Sequence, residues 1–174
     1  MSNKEVHFDF NFMMQEHIGD ESGINPDDIE SLQGEVTEIH EELTEKRKKK
    51  EIAFFDLPYE GTSTIRHMAD DIAGKYDTFL LLGIGGSSLG PVSIHNAFHS
   101  PFYNQLESER NGRPRMYFLD NVDPDETASF LKVLDMEKTA VAVITKSGST
   151  AETMSGFLIF LEAIKKAAVK FDPS

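Results

Sequence analysis

The sequence predicts an α/β fold in which helices flank a parallel sheet and a helical extension precedes it. Three short apolar runs, at 79–82, 116–119 and 140–144, are bounded by polar or glycine residues. Unbroken apolar runs are typical of strands buried on both faces of a parallel sheet. A helix-like stretch follows each run, and strand alternating with helix is the pattern of a doubly wound sheet. Three strands make an incomplete sheet, because most sheets have about four to six.

The first part of the chain is predicted to be an arm followed by two helices. Residues 1–24 mix aromatic and acidic side chains without periodicity, and we interpret them as an arm that covers another surface. Asn25 and Pro26 suit a helix start, and the apolar spacing of three and four that follows predicts a helix over about 26–49. The apolar residues at this spacing are Ile29, Leu32, Val36, Ile39 and Leu43.

An extended piece over 52–59 and a second helix over about 62–73 are predicted to lead into the sheet. The residues of this second helix expected to face inward are Ile65, Met68, Ala69 and Ile72. The helices expected after the three strands cover about 88–99, 124–134 and 150–169. We expect two parts: the arm and helices at 1–75, and the sheet-containing domain at 76–174.

Composition excludes several classes of function. A net charge of −13 and an isoelectric point near 4.8 disfavour nucleic acid and anionic membranes as partners. The basic run 46–50 is interpreted as the solvated end of a helix, where cations are favourable. The chain has no cysteine, so disulfides and thiol chemistry are ruled out, and it has no signal-like or membrane-spanning stretch. We therefore expect a cytoplasmic protein.

The turn after the first apolar run has three possible interpretations. A dinucleotide fingerprint needs a third glycine, but Ser88 stands there after Gly83 and Gly85, and no acidic residue follows at the required distance. Residues 86–90 fit the G-x-S-x-G motif of hydrolases. In that fold the histidine of the triad comes well downstream of the serine, and no histidine follows His99. The remaining interpretation is a small-residue turn that lets backbone N–H groups and hydroxyls approach a polar ligand.

The turn after the third apolar run supports this interpretation. It offers four hydroxyls, a lysine and a glycine just before a predicted helix, where free N–H groups and the helix dipole favour an anion. Its residues are Thr145, Lys146, Ser147, Gly148, Ser149 and Thr150. This set suits a phosphate monoester. The alternative is that Ser149 only caps the helix, with Glu152 completing a capping box.

Other candidates have structural explanations. His95 and His99 are four residues apart on a predicted helix, but the sequence between them lacks the glutamate of a metalloprotease motif, so helix packing or surface exposure is preferred. Glu152 is a weaker candidate for a general base, because its spacing already fits capping. Asp123 precedes Pro124 and is expected to cap a helix rather than to begin a calcium loop.

Two stretches resemble the signatures of the bacterial glucose-6-phosphate isomerase family. They are LGIGGSSLGP at 82–91 and ITKSGSTAET at 144–153, and DNVDP at 120–124 is similar as well. The second stretch is shared by many sugar isomerase (SIS) domains, whereas the first is more specific.

The resemblance implies a flavodoxin-like SIS fold and an enzyme that interconverts glucose 6-phosphate and fructose 6-phosphate by ring opening and an enediol. It implies that residues 147–150 hold the sugar phosphate, with Thr145 and Lys146 adjacent, and that Gly85, Gly86 and Ser87 line the sugar. No metal or organic cofactor is implied. Since the short sheet leaves an edge or apolar face open, we also expect a homodimer.

The family's catalytic glutamate, histidine, lysine and arginine lie in motifs that this sequence does not contain. We therefore expect the catalytic residues beyond Ser174, and we interpret the chain as the N-terminal, phosphate-binding part of such an enzyme, inactive by itself. The alternative is a stand-alone SIS module that binds a sugar phosphate for regulation.

Overall fold

The computed structural model describes residues 7–169. The chain divides into two compact units, with the division between Gly61 and Thr62. The helix Ser63–Lys75 therefore belongs to the second unit. The boundary expected at 75/76 stays a prediction.

The first unit consists of helices and turns. Its helices are α1 (Gln15–Ile18), α2 (Pro26–Ser31) and α3 (Gln33–Lys48), and its 3-10 turns are Asn11–Met13, Ala53–Phe55 and Leu57–Tyr59. Asn25 caps α2 by accepting a hydrogen bond from the N–H of Asp27 at 3.0 Å, as its position before Pro26 suggests. The single helix predicted over 26–49 is instead two, which meet at Leu32.

The stretch 52–59 was predicted to be extended, and this was wrong. Two consecutive 3-10 turns form there. In the first, the N–H of Asp56 donates a hydrogen bond to the carbonyl of Ala53, and in the second the N–H of Glu60 donates to the carbonyl of Leu57, each at 3.2 Å. Pro58 is compatible with this geometry, because the N–H groups at the start of a helical turn have no partner to lose.

The second unit contains a parallel sheet flanked by helices. Its strands are β1 (Thr78–Leu82), β2 (Arg115–Leu119) and β3 (Thr139–Val143), in the spatial order β2-β1-β3. Its helices are α4 (Ser63–Lys75), α5 (Gly86–Phe98), α6 (Glu107–Arg110), α7 (Pro124–Val133) and α8 (Ala151–Val169), and a 3-10 turn covers Met136–Lys138. The predicted α/β class and the three parallel strands are confirmed, and the order matches the first three strands of a flavodoxin-like sheet.

Helices cover both faces of the sheet. Neighbouring residues of a strand point to opposite faces, so the contacts of two neighbouring β2 residues show which helix lies on each face. On β2, the ring of Tyr117 lies 5.7 Å from that of Phe130 in α7, whereas the ring of Phe118 lies 5.5 Å from that of His95 in α5. Helix α8 lies on the α7 side, where Gly156 faces the side chain of Leu119. None of the helices in residues 7–169 is long and apolar enough to cross a membrane.

The core lies between the sheet and the α7–α8 layer. Its buried members are Leu80, Leu82, Leu119, Leu134 and Phe160. Helix α4 does not join it: Ile65 and Met68 are 68% and 62% exposed, Ala69 is exposed as well, and Ile72 is half-buried. The expectation that all four face inward was therefore wrong for the first three. An amphipathic pattern buries its stripe only where another element faces it.

Candidate functional site

The two glycine- and hydroxyl-rich turns lie at the same edge of the sheet, on neighbouring strands. Leu82 ends β1 in register with Val143 at the end of β3, and the N–H of Ile144 donates to the carbonyl of Leu82 at 2.9 Å. The chain runs from β1 to β2 on one side and then returns to β3 on the other side. In parallel α/β sheets, ligands bind outside the carboxyl ends of the strands at such a reversal.

Gly83 is a point of close approach between the two turns. It is buried, and a Cβ atom on it would lie 3.3 Å from the carbonyl oxygen of Ile144, and 3.2 Å and 3.3 Å from the Cβ and carbonyl oxygen of Ser87. These distances are shorter than ordinary van der Waals contact. The backbones of the two turns can pack this closely because residue 83 has no side chain.

The rest of the first turn places Ser87 half-buried at the start of α5. Gly85 has φ +56° and ψ −125°, a conformation that favours glycine. Ser88 is completely buried, and its hydroxyl donates to the carbonyl of Gly85 at 3.2 Å, so its role is structural. The N–H of Ser87 donates to the carbonyl of Ile84 at 3.2 Å. With Ser88 N–H also bonded within the turn, α5 has few free N–H groups for a ligand.

The second turn carries its hydroxyls in two pairs. The hydroxyls of Thr145 and Thr150 lie 3.1 Å apart, and the hydroxyl of Ser149 donates to that of Ser147 at 2.9 Å. Gly148, at φ +74°, donates its N–H to the Thr145 hydroxyl at 3.2 Å. Thr145 and Thr150 are half-buried, whereas the Ser147–Ser149 segment is exposed. The turn is therefore held together by its own hydroxyls and is open on its outer side.

Helix α8 begins directly after this turn. It starts at Ala151, and the N–H of Met154 is bonded to the carbonyl of Thr150 at 2.9 Å. The first N–H groups of a helix have no partner within it and carry the positive end of its dipole. Because the helix begins at Ala151, the cap position belongs to Thr150, and the Ser149 hydroxyl bonds to Ser147 instead. The geometry therefore does not support a capping box from Ser149 to Glu152.

The charge of the turn comes from Lys146 and the helix dipole. Lys146 is exposed on the turn, and Glu152 is exposed in the first turn of α8. A local cation beside a helix N-terminus favours an anion even in a chain with a net charge of −13. Of the nine residues predicted to bind substrate, 145–150 form this turn, and Gly85, Gly86 and Ser87 lie on the turn of the neighbouring strand.

The two histidines belong to an aromatic cluster on the α5 side of the sheet. The ring of His95 lies 4.7 Å from that of His99, 5.0 Å from that of Tyr103 and 5.5 Å from that of Phe118. Burial lowers the pKa of His95 below its ordinary value, and the charge of His99 lowers it further. Residues 7–169 contain no group of three or more histidines or carboxylates able to hold a metal ion. The helix-packing interpretation fits His95.

Asp123 caps α7, as its sequence context predicts. Its carboxylate accepts hydrogen bonds from the N–H groups of Asp125 at 2.8 Å and Glu126 at 3.1 Å. Thr153 is not among the residues predicted to bind substrate. It is 4% exposed, and its hydroxyl has no hydrogen-bond partner among the described residues. Its place in the first turn of α8 could have been read from the sequence, but its burial could not.

The comparisons with known proteins agree on one family. The family model described as phosphoglucose isomerase matches residues 69–173. A glucose-6-phosphate isomerase of Carboxydothermus hydrogenoformans is 42% identical over 93% of this chain and 35% of its own length. A probable glucose-6-phosphate isomerase of Methanococcus maripaludis is 32% identical over 98% of this chain and 37% of its own length. A crystal structure of a hypothetical protein of Thermus thermophilus aligns with a TM-score of 0.61 at 33% identity, over 81% of this chain and 32% of that one. The chain spans about a third of the length of the curated relatives that it matches.

Proposed function

This chain belongs to the phosphoglucose isomerase family, and from that premise we propose that it supplies the phosphate-binding part of a glucose-6-phosphate isomerase. The proposed substrates are glucose 6-phosphate and fructose 6-phosphate, interconverted by ring opening and proton transfer through an enediol. The names of the relatives support the reaction. The groups that move the proton are not assigned to residues of this chain.

The observation that carries the proposal is the hydroxyl-rich turn at the start of α8. Its two hydroxyl pairs, Thr145–Thr150 and Ser147–Ser149, lie next to the free N–H groups of the helix. A phosphate monoester accepts hydrogen bonds through three oxygens and carries about two negative charges. Ser147 and Ser149 are exposed, so they can rotate their hydroxyls from each other to a phosphate without a change of backbone.

Lys146 and the α8 dipole add attraction for the charge of the phosphate. This arrangement separates the two turns by role. The N–H groups at the start of α8 have no partner within the helix, whereas those of Ser87 and Ser88 are already bonded within the α5 turn. We therefore assign the anion to residues 145–150 and assign Gly85, Gly86 and Ser87 to one wall of the space that the sugar occupies.

The test is the affinity of the purified chain for fructose 6-phosphate and for inorganic phosphate by titration calorimetry. The double variant Ser147→Ala/Thr150→Ala removes one hydroxyl from each pair. Hydrogen bonds to a charged group contribute about 1.5–3 kcal/mol each. Because the turn is exposed, water replaces some of the hydrogen bonds that the phosphate loses. We therefore expect both affinities to fall by about tenfold or more.

Ser129→Ala is the matched control, because the Ser129 hydroxyl lies in α7 and donates to the carbonyl of Asp125 at 2.7 Å, a bond that leaves the turn untouched. It should bind both ligands as the parent chain does. The double variant must keep the helix content of the parent chain by circular dichroism. If it is folded and binds both ligands with parental affinity, the hydroxyls serve only the turn itself and the assignment of the phosphate is wrong.

A further inference from the structure

Thr153 carries a buried hydroxyl that the described part of the protein leaves without a partner. Its side chain is 4% exposed, and its Oγ1 atom has no hydrogen-bond partner in residues 7–169. Helical threonines commonly donate to the carbonyl four residues earlier. Ser155 in the same turn does so, with its Oγ 2.7 Å from the carbonyl oxygen of Ala151. A buried hydroxyl without such a bond is costly, and each instance calls for a partner.

A small cavity adjoins this residue. It measures about 10 Å³ and lies where β1 and β2 end against the first turn of α8. Besides Thr153, its lining includes the polar residues Asp120, Asn121 and Glu152, and Gly83 of the first turn. That volume is about one water-sized sphere, and a polar cavity of this size holds a single group that makes two to four hydrogen bonds. Carboxylate and amide side chains both accept hydrogen bonds from a hydroxyl.

We propose that this cavity binds one hydroxyl group, held by Thr153. The group comes from an ordered water or from a hydroxyl of the sugar phosphate bound on the neighbouring turn. Both sources offer an O–H donor with lone pairs to accept the Thr153 proton. Thr153 is then a positioning residue: it fixes the start of α8, and with it the turn at 145–150, against the end of β2. The sugar source rests on the proposed function, whereas the water source does not.

Thr153→Val tests the proposal because it keeps the shape of the side chain and replaces only the hydroxyl, by a methyl group. If the hydroxyl truly lacks a partner, its removal eliminates the free-energy cost of burying it and raises stability. If it holds a bound group, its removal lowers stability or affinity. The variant is compared with Thr153→Ser, which keeps the hydroxyl, and with the control Ser155→Ala. The measurements are the urea midpoint of the chain and its affinities for fructose 6-phosphate and inorganic phosphate.

If the cavity holds an ordered water, Thr153→Val lowers the urea midpoint in plain buffer, and Thr153→Ser lowers it less. If the cavity holds a sugar hydroxyl, the urea midpoint of Thr153→Val is unchanged or raised. Its affinity for fructose 6-phosphate falls at least fivefold, and its affinity for inorganic phosphate does not fall. The proposal is overturned if Thr153→Val lowers neither the midpoint nor the affinity for fructose 6-phosphate. If the parent chain binds neither ligand, the proposed function fails, and the midpoint alone decides this inference.

Discussion

A methyl group at Gly83 should disturb both turns of the candidate site at once. The substitution Gly83→Ala puts a Cβ atom 3.3 Å from the carbonyl oxygen of Ile144 and 3.2 Å from the Cβ of Ser87. Neither neighbour is the free end of a long side chain: one is backbone and the other is the first side-chain atom of a helical residue. The strain must therefore be relieved by a shift of the backbone at the end of β1 or of β3.

The size of the effect follows from the packing. Ordinary contact begins at 3.4 Å, so the neighbours must move by a few tenths of an ångström. Inserting a methyl group into a well-packed interior typically costs about 1–3 kcal/mol, and we expect Gly83→Ala to lower the free energy of unfolding by about 2 kcal/mol. Because Ile144 directly precedes residues 145–150, the proposed phosphate site, we also expect a weaker affinity for inorganic phosphate.

Urea denaturation followed by circular dichroism measures the loss of stability. Gly74→Ala is the matched control, since a Cβ atom there has nothing within 4 Å and the residue lies in helix α4. Alanine is the better helix former by up to about 1 kcal/mol, so Gly74→Ala should be neutral or stabilising. A Gly83→Ala chain as stable as the parent would show that the close approach of the two turns is not a constraint, and the steric argument would be wrong.

Three further predictions concern the core, a helix start and pH. Phe160→Ala should cost about 3–5 kcal/mol, because the ring is fully buried in the core; Leu158→Ala, at a residue 59% exposed, should change the urea midpoint far less. Asp123→Ala should cost about 0.5–2 kcal/mol by removing the cap of α7, and Asp123→Asn should restore most of it; equal losses for both would contradict capping. The pKa of His95 is lowered in the folded chain, so the unfolded chain binds the proton more readily. Stability should therefore decline as the pH falls below the ordinary histidine pKa of about 6.5, and His95→Gln should make the decline shallower; parallel pH profiles for the two chains would refute this.

The strands and their helices could be read from the sequence because they depend on local patterns. The run 79–82 is apolar throughout, and the structure extends it by one residue to form β1. Asp123 before Pro124 predicted the start of α7 for the same reason, since a cap bonds to N–H groups two and three residues ahead. These interactions need no knowledge of the rest of the fold.

The pattern of α4 was misleading because amphipathicity tells which residues share a face and not whether another element covers that face. Ile65 and Met68 share such a face and are exposed in the described chain. The stretch 52–59 is misleading for another reason. Proline fits an extended segment and also the first turn of a helix, and Pro58 lies in the first turn of a 3-10 helix.

The sequence by itself determined the chemistry of the candidate site. Hydroxyls, a lysine and a glycine before a helix are a local composition, and the structure keeps them on one turn at the start of α8. Only the tertiary structure decided that this turn lies beside the one that contains Gly83, because the order β2-β1-β3 depends on which distant strands pair. The same holds for the buried hydroxyl of Thr153, since burial is a property of what packs around a residue and not of its neighbours along the chain.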